Sequence, residues 1–92
     1  MSRPRLTPAQ IDAALTALPG RRNADGKLHR EWKFADFRAA FAFMTRVALA
    51  AEAQAHHPEW WNSYATVRVW LWTHDAGGIT AADVALATAI DA

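Results

Sequence analysis

The 92-residue chain has no cysteine. That excludes disulfides, thiolate metal ligands and a thiol nucleophile, and it fits a reducing compartment. Long apolar runs are missing too. The stretch around residues 48–51 is far short of the ~20 residues that cross a bilayer. The opening, MSRPRLTPAQ, has neither an apolar core nor a cleavage-like site, so no secretory signal is expected. The expectation is a cytoplasmic protein with no membrane partner. Charge of one sign is also lacking, with a formal net charge of +1. Basic residues lean toward the first third (Arg3, Arg5, Arg21, Arg22, Lys27, Arg30 and Lys33), but acidic residues interrupt them. They read as a solvated face, and no nucleic-acid partner is expected. There are no internal repeats, low-complexity tracts or linkers, and the length suits one domain over residues 1–92. A chain of this size buries roughly 60–65 % of its unfolded surface, enough to fold alone with a thin margin.

The periodicities give an order of elements. Thr7-Pro8 opens a helix over about 8–18, with Ile11, Ala14, Leu15 and Leu18 at helical spacing and Pro19-Gly20 as its stop. Asp25-Gly26 marks a hairpin between strands at about 20–23 and 27–34. Asp36 caps a long helix over about 36–54, with a stripe of Phe37, Ala40, Phe41, Met44, Val47, Ala48 and Ala51. The β-rich run from Tyr64 to His74 puts Val67, Val69, Leu71 and Thr73 on one face, and Thr66, Arg68, Trp70, Trp72 and His74 on the other. After the turn at Gly77-Gly78, Thr80 caps a last helix over about 81–91. Its third position is Asp83, and Val84, Ala87 and Ile90 mark its buried side. Strand runs beside packed helices, without a βαβ rhythm, indicate an α+β fold with an antiparallel sheet.

Residues 52–64, EAQAHHPEWWNSY, hold the chemistry. Glu52 and His56 meet on one face if the helix extends that far, and a carboxylate there can orient an imidazole. Pro58 turns the chain and aims His57 in another direction. His74 ends the long strand, where sites are commonly built, and Asp83 can face back toward it. Three imidazoles near one cleft suit proton transfer near neutral pH. A metal site on His56, His57, His74 and Glu52 is the rival reading. It lacks cysteine and H-x-x-x-H spacing, and adjacent histidines rarely reach one tetrahedral centre. The bland reading makes these solvated histidines, an ordinary helix glutamate and a helix cap.

The spacing Glu52-x3-His56-His57-Pro58-x5-Tyr64-x9-His74-x8-Asp83 resembles the signature of the pterin-4a-carbinolamine (4a-hydroxytetrahydrobiopterin) dehydratase family. Asn62, Thr73, the Gly78-Ile79-Thr80 approach and Phe34-x-x-Phe37 agree with it. The resemblance implies a four-stranded antiparallel sheet with three helices packed on one face. The extra strand would lie around residues 58–61. It also implies a lyase of pterin recycling, without cofactor or metal, that dehydrates a 4a-hydroxytetrahydropterin left by an aromatic amino acid hydroxylase of the same pathway. By resemblance, His56 and His74 are the acid–base pair and His57 positions substrate. Glu52 and Asp83 support the imidazoles, Pro58 and Trp60 border the pocket, and backbone from Thr73 through His74 and Asp75 to Ala76 holds the pterin edge. The family further implies a homodimer or homotetramer. A non-catalytic dimerisation or assembly-factor module of the same fold is the alternative. Two departures stand out: Arg21-Arg22 where many members have tryptophan, and Trp70 and Trp72 in place of smaller polar residues. Two such rings on an uncovered sheet face would form an exposed patch, which subunit contact is expected to cover for at least one of them; a Trp72 that leans into the cleft instead would narrow substrate choice and displace a family-like polar contact.

Overall fold

A computed structural model describes residues 3–92. In chain order the elements are α1 (Pro8–Thr16), β1 (Arg22–Ala24), β2 (Lys27–Lys33), α2 (Phe37–Ala53), β3 (Glu59–Ser63), β4 (Thr66–Leu71) and α3 (Ala81–Asp91). The strands form one antiparallel sheet in the order β1-β2-β4-β3. The three helices pack on one of its faces.

Local sequence explains most boundaries. Thr7 and Gln10 form a reciprocal capping box on α1. The helix stops at Thr16, two residues short of the expected end, and Leu18 enters the core from the turn beyond. Asp25 and Gly26 both have positive φ (53° and 83°), as a two-residue hairpin turn requires. Asn23 Oδ1 braces that turn by accepting the Gly26 N–H at 2.8 Å. The expected strand from Tyr64 divides differently. Tyr64, at φ 49°, belongs to a two-residue loop, and the run before it forms β3. β1 begins at Arg22; Arg21, just before it, spends its N–H on the Leu18 carbonyl at 3.2 Å. Its buried guanidinium forms a two-pronged pair with Asp91, through Nε at 3.1 Å and Nη2 at 2.8 Å, tying the end of α3 to the sheet.

The core joins Leu28, Val67, Val69 and Leu71 of the sheet to Ile11, Ala40, Phe43, Val47, Ala51, Leu86 and Ala87 of the helices. Each fully buried leucine or valine among them contributes roughly 1.5–3 kcal/mol. Of the expected stripe on α2, Ala40, Val47 and Ala51 are buried and Met44 is partly so, but Phe37, Phe41 and Ala48 fall outside it. Phe43 is inside, against Trp32 and Phe34 at 4.7 and 5.1 Å between ring centres, while Phe37 and Phe41 are exposed. The helix is apolar around most of its circumference, so periodicity alone does not choose the side. In α3 the expected Ala87 is fully buried, as is Leu86, while Val84 and Ile90 are partly covered.

On the opposite sheet face the tryptophans are largely covered within the chain. Trp70 stacks on His29 at 4.7 Å, with the Arg68 guanidinium 4.8 Å from the ring centre. Trp72 has its own partners, described below. Part of the cover on Trp70 and Trp72 therefore comes from within the chain, and Trp61 is the most exposed of the tryptophans. Burial pushes His29 below the ordinary imidazole range, and the Arg68 and Arg22 charges act the same way. A bond to the Val69 carbonyl opposes them. Among the described residues no helix is long and apolar enough to cross a membrane.

Candidate active site

The site lies where the end of α2, the loop after β4 and the start of α3 converge. Its first part is the way α2 stops. The Ala55 N–H donates to the Glu52 carbonyl (3.1 Å) and the His56 N–H to the Ala51 carbonyl (3.0 Å). Gln54 caps the helix and Ala55 takes a left-handed conformation at φ 51°. This is the paired Schellman closure, with alanine in the place glycine usually fills. It throws His56 off the helix axis toward α3.

His56 accordingly does not pair with Glu52, as i,i+4 spacing suggested. Its Nε2 lies 2.5 Å from Asp83 Oδ1. Glu52 instead meets His57 on the exposed side, with Oε2 3.0 Å from Nε2. The unwound turn shifts both histidines, so the helical offset no longer applies.

Asp83 is fully buried. It is the third residue of α3, and its Oδ2 accepts the Thr80 N–H at 2.9 Å, completing a capping box. The same oxygen accepts the Thr73 hydroxyl at 2.9 Å. Thr73 has one proton, and it is committed to Asp83. The Thr80 hydroxyl, 2.7 Å away, must therefore donate to Thr73. As a carboxylate, Asp83 can only accept, so His56 presents Nε2–H to it and leaves Nδ1 as the free nitrogen. The cap that starts α3 thus also fixes an imidazole.

His74 opens a one-turn 3-10 helix, His74–Ala76, closed by Gly77 at φ 69°. Its exposed ring stacks on Trp72, 3.9 Å between centres. His56, His57, Trp72, Thr73, His74 and Asp75 share an open hollow of about 410 Å³ with Ala55 and Arg3. Three imidazoles from two segments thus face one space, within the size range of small-molecule sites. Trp60 does not line it. That ring packs against the core from β3. Pro58, Ala76, Glu52 and Asp83 also lie outside its lining; Asp83 backs His56 from the interior, and Glu52 meets His57 on the solvent side. Among the described residues no three of His, Asp and Glu gather as a metal-binding group.

The profile of the pterin 4 alpha carbinolamine dehydratase family matches residues 4–92. The chain belongs to the pterin-4a-carbinolamine dehydratase family. It is 53 % identical over 88 residues to a provisionally named pterin-4-alpha-carbinolamine dehydratase of Solibacter usitatus (strain Ellin6076), covering 96 % of this chain and 93 % of the relative. A provisionally named relative from Rhodopseudomonas palustris (strain BisB18) is 54 % identical over 90 residues, covering 96 % and 89 %. The fold matches the crystal structure of a transcriptional coactivator/pterin dehydratase from Brucella melitensis. The TM-score is 0.90 at 44 % identity, and 95 % of each chain is covered.

Within this dehydratase family member, Arg3 is the hollow's residue that sequence reasoning missed. It looked like part of a solvated basic face. A tertiary contact, the Leu6 N–H donating to the Ile79 carbonyl at 2.8 Å, lays the N-terminal segment beside the site. No spacing rule signals such a contact. Ala55 also went unnoticed, because an alanine before two histidines carries no turn signal. Left-handed geometry costs a residue bearing Cβ roughly 1–2 kcal/mol. Ala55→Gly is therefore expected to stabilise the fold by about 0.5–1 kcal/mol, net of the greater chain entropy glycine loses. That is a melting-temperature rise of a few degrees, on the scale of about 4–8 °C per kcal/mol for domains of this size. A fall in melting temperature would show that the alanine is not strained.

Proposed function

We propose that the chain dehydrates 4a-hydroxytetrahydropterins to quinonoid dihydropterins by histidine acid–base catalysis. The observation that carries this reading is the convergence of His56, His57 and His74 on one hollow, with His56 backed by a buried carboxylate. Hydroxide is a poor leaving group. One imidazole therefore protonates the C4a hydroxyl, and the C–O bond breaks to release water. A ring nitrogen lone pair forms the new C=N bond, and the proton on that nitrogen passes to a second imidazole. Protons and electron pairs balance without redox chemistry.

His56 and His74 take the two proton-transfer roles. His57, held by Glu52 at the exposed rim, positions the substrate. The backbone N–H groups of His74 and Asp75 are available to the flat edge of the heterocycle, whereas the Thr73 N–H is spent on the Gly78 carbonyl (2.9 Å) and the Thr73 carbonyl accepts from Ala76 and Gly77. The physiological setting would be cytoplasmic pterin recycling beside an aromatic amino acid hydroxylase. The deciding measurement is stopped-flow dehydration of freshly generated 4a-hydroxytetrahydropterin. Turnover well above the spontaneous rate is expected, and a rate equal to it would refute the reading.

A docking role is favoured by a different observation. The outward side of α2 exposes Phe37, Phe41 and Leu49, with Phe37 and Phe41 in contact at 5.8 Å between ring centres. There we place the contact between copies in a homodimer or homotetramer. Light scattering should return a multiple of the 10.2 kDa chain mass, and a strict monomer at micromolar concentration would remove the assignment. The same surface serves the non-catalytic alternative, which the dehydration assay would then leave standing alone.

A further inference from the structure

His74 differs from the other two histidines of the hollow. His56 is fixed by Asp83 and His57 is met by Glu52. The His74 imidazole has no hydrogen-bond partner among the described residues. It is exposed, and it sits in a loop beyond the sheet. A ring in such a place rotates among rotamers unless something flat restrains it. The Trp72 indole provides that restraint, with 3.9 Å between ring centres and 23° between planes.

Trp72 is itself held. The Lys27 ammonium of β2 lies over its ring, 4.7 Å from the centre. The indole thus carries contacts to both the cation and the imidazole, and its ring is restrained by the two together. Lys27 is anchored in turn by Glu59 of β3, Nζ to Oε1 2.9 Å. The column Glu59–Lys27–Trp72–His74 therefore runs from β3 through β2 to the segment just after β4, and ends at the hollow. The indole Nε1 is buried with no acceptor among the described residues. Burying such a donor unpaired costs stability.

We propose that Trp72 is a positioning residue for His74, restrained by Lys27, and that it sets the imidazole plane for proton transfer. This rests on the dehydratase reading and adds to it the restraint on the one histidine without a polar partner. Small displacements of a reacting group cost rate rather than binding, up to about 100-fold for an ångström.

The test pairs NMR of the histidine ring protons with the dehydration assay on the wild-type chain and on Trp72→Ala, Trp72→Phe and Lys27→Met. In wild type the indole ring current should move the His74 ring protons upfield, and Trp72→Ala should abolish that shift. In the same variant kcat should fall about 10–100-fold while KM rises no more than about threefold. Trp72→Phe keeps a flat surface and should recover kcat to within about fivefold of wild type. Lys27→Met keeps the aliphatic stem without the charge and should fall in between. Lys27 lies at the surface, so this variant carries the test if Trp72→Ala unfolds. Lost shift with kcat unchanged would overturn the proposal, as would an unshifted His74 in wild type. Equal damage from Phe and Ala would also overturn it, because the flat surface would not be what matters. A wild-type chain that shows the shift but turns over nothing refutes the dehydratase reading, and the proposal with it.

Discussion

Replacing His56 and His74 together with alanine should abolish nearly all dehydration above the spontaneous rate, while the chain stays folded. Positioned acid–base groups supply about 10²–10⁴-fold each. The two imidazoles reach the hollow from different segments, one after α2 and one after β4. No third imidazole replaces both, because His57 is tied to Glu52 at the rim. The fold should survive. His74 is exposed, and without His56 the Asp83 carboxylate keeps two donors, the Thr73 hydroxyl and the Thr80 N–H. Losing the third costs about 1–3 kcal/mol, which circular dichroism and melting will read. A folded double variant with wild-type turnover ends the assignment of these histidines.

How much of this was legible beforehand depended on the range of the interaction. Thr7, Asp36 and Thr80 announce their helices because a cap acts within three residues. Asp25-Gly26 announces its hairpin for the same reason. Residues 59–63 were harder, because Tyr64 stands in a turn with no glycine or asparagine to mark it. On α2 the buried Ala40, Val47 and Ala51 were legible but the phenylalanine was not, because Phe41 and Phe43 are equally apolar and only Trp32 and Phe34 across the interface select Phe43.

The site divides along the same line. The three histidines and both carboxylates could be named from their spacing, but their pairing could not. Offset rules assume an unbroken helix, and Ala55 breaks it by entering left-handed space. His56 then reaches Asp83, 27 residues on. Arg21 is the same kind of case. It looked like a surface charge in a poor strand, yet its partner Asp91 is 70 residues away. Trp72 was expected either under a subunit contact or leaning into the cleft; it lines the hollow, in contact with Lys27 and His74.

Asp83→Asn should separate the chemistry of the buried carboxylate from its structural work. In the wild type Oδ2 accepts two donors, and Oδ1 faces His56 Nε2. Asparagine has one oxygen. The Thr80 N–H is a fixed donor at the start of α3, so the amide oxygen must turn toward it. The amide nitrogen, which only donates, is then left facing His56. The imidazole has to answer with a lone pair on Nε2, which moves its proton to Nδ1, the nitrogen otherwise free for the hollow. Every polar contact is kept, yet the tautomer is reversed. The expected result is a fall in kcat on the order of 100-fold or more, with melting shifted by only a few degrees. Asp83→Ala should behave differently. It strands the Thr73 hydroxyl and the Thr80 N–H in the interior, at about 1–3 kcal/mol. At about 4–8 °C per kcal/mol, melting should drop by roughly 5–20 °C. Nitrogen NMR of His56 reads the tautomer directly. If Asp83→Asn turns over like wild type with Nδ1 protonated, Asp83 is a helix cap and no part of the proton chemistry.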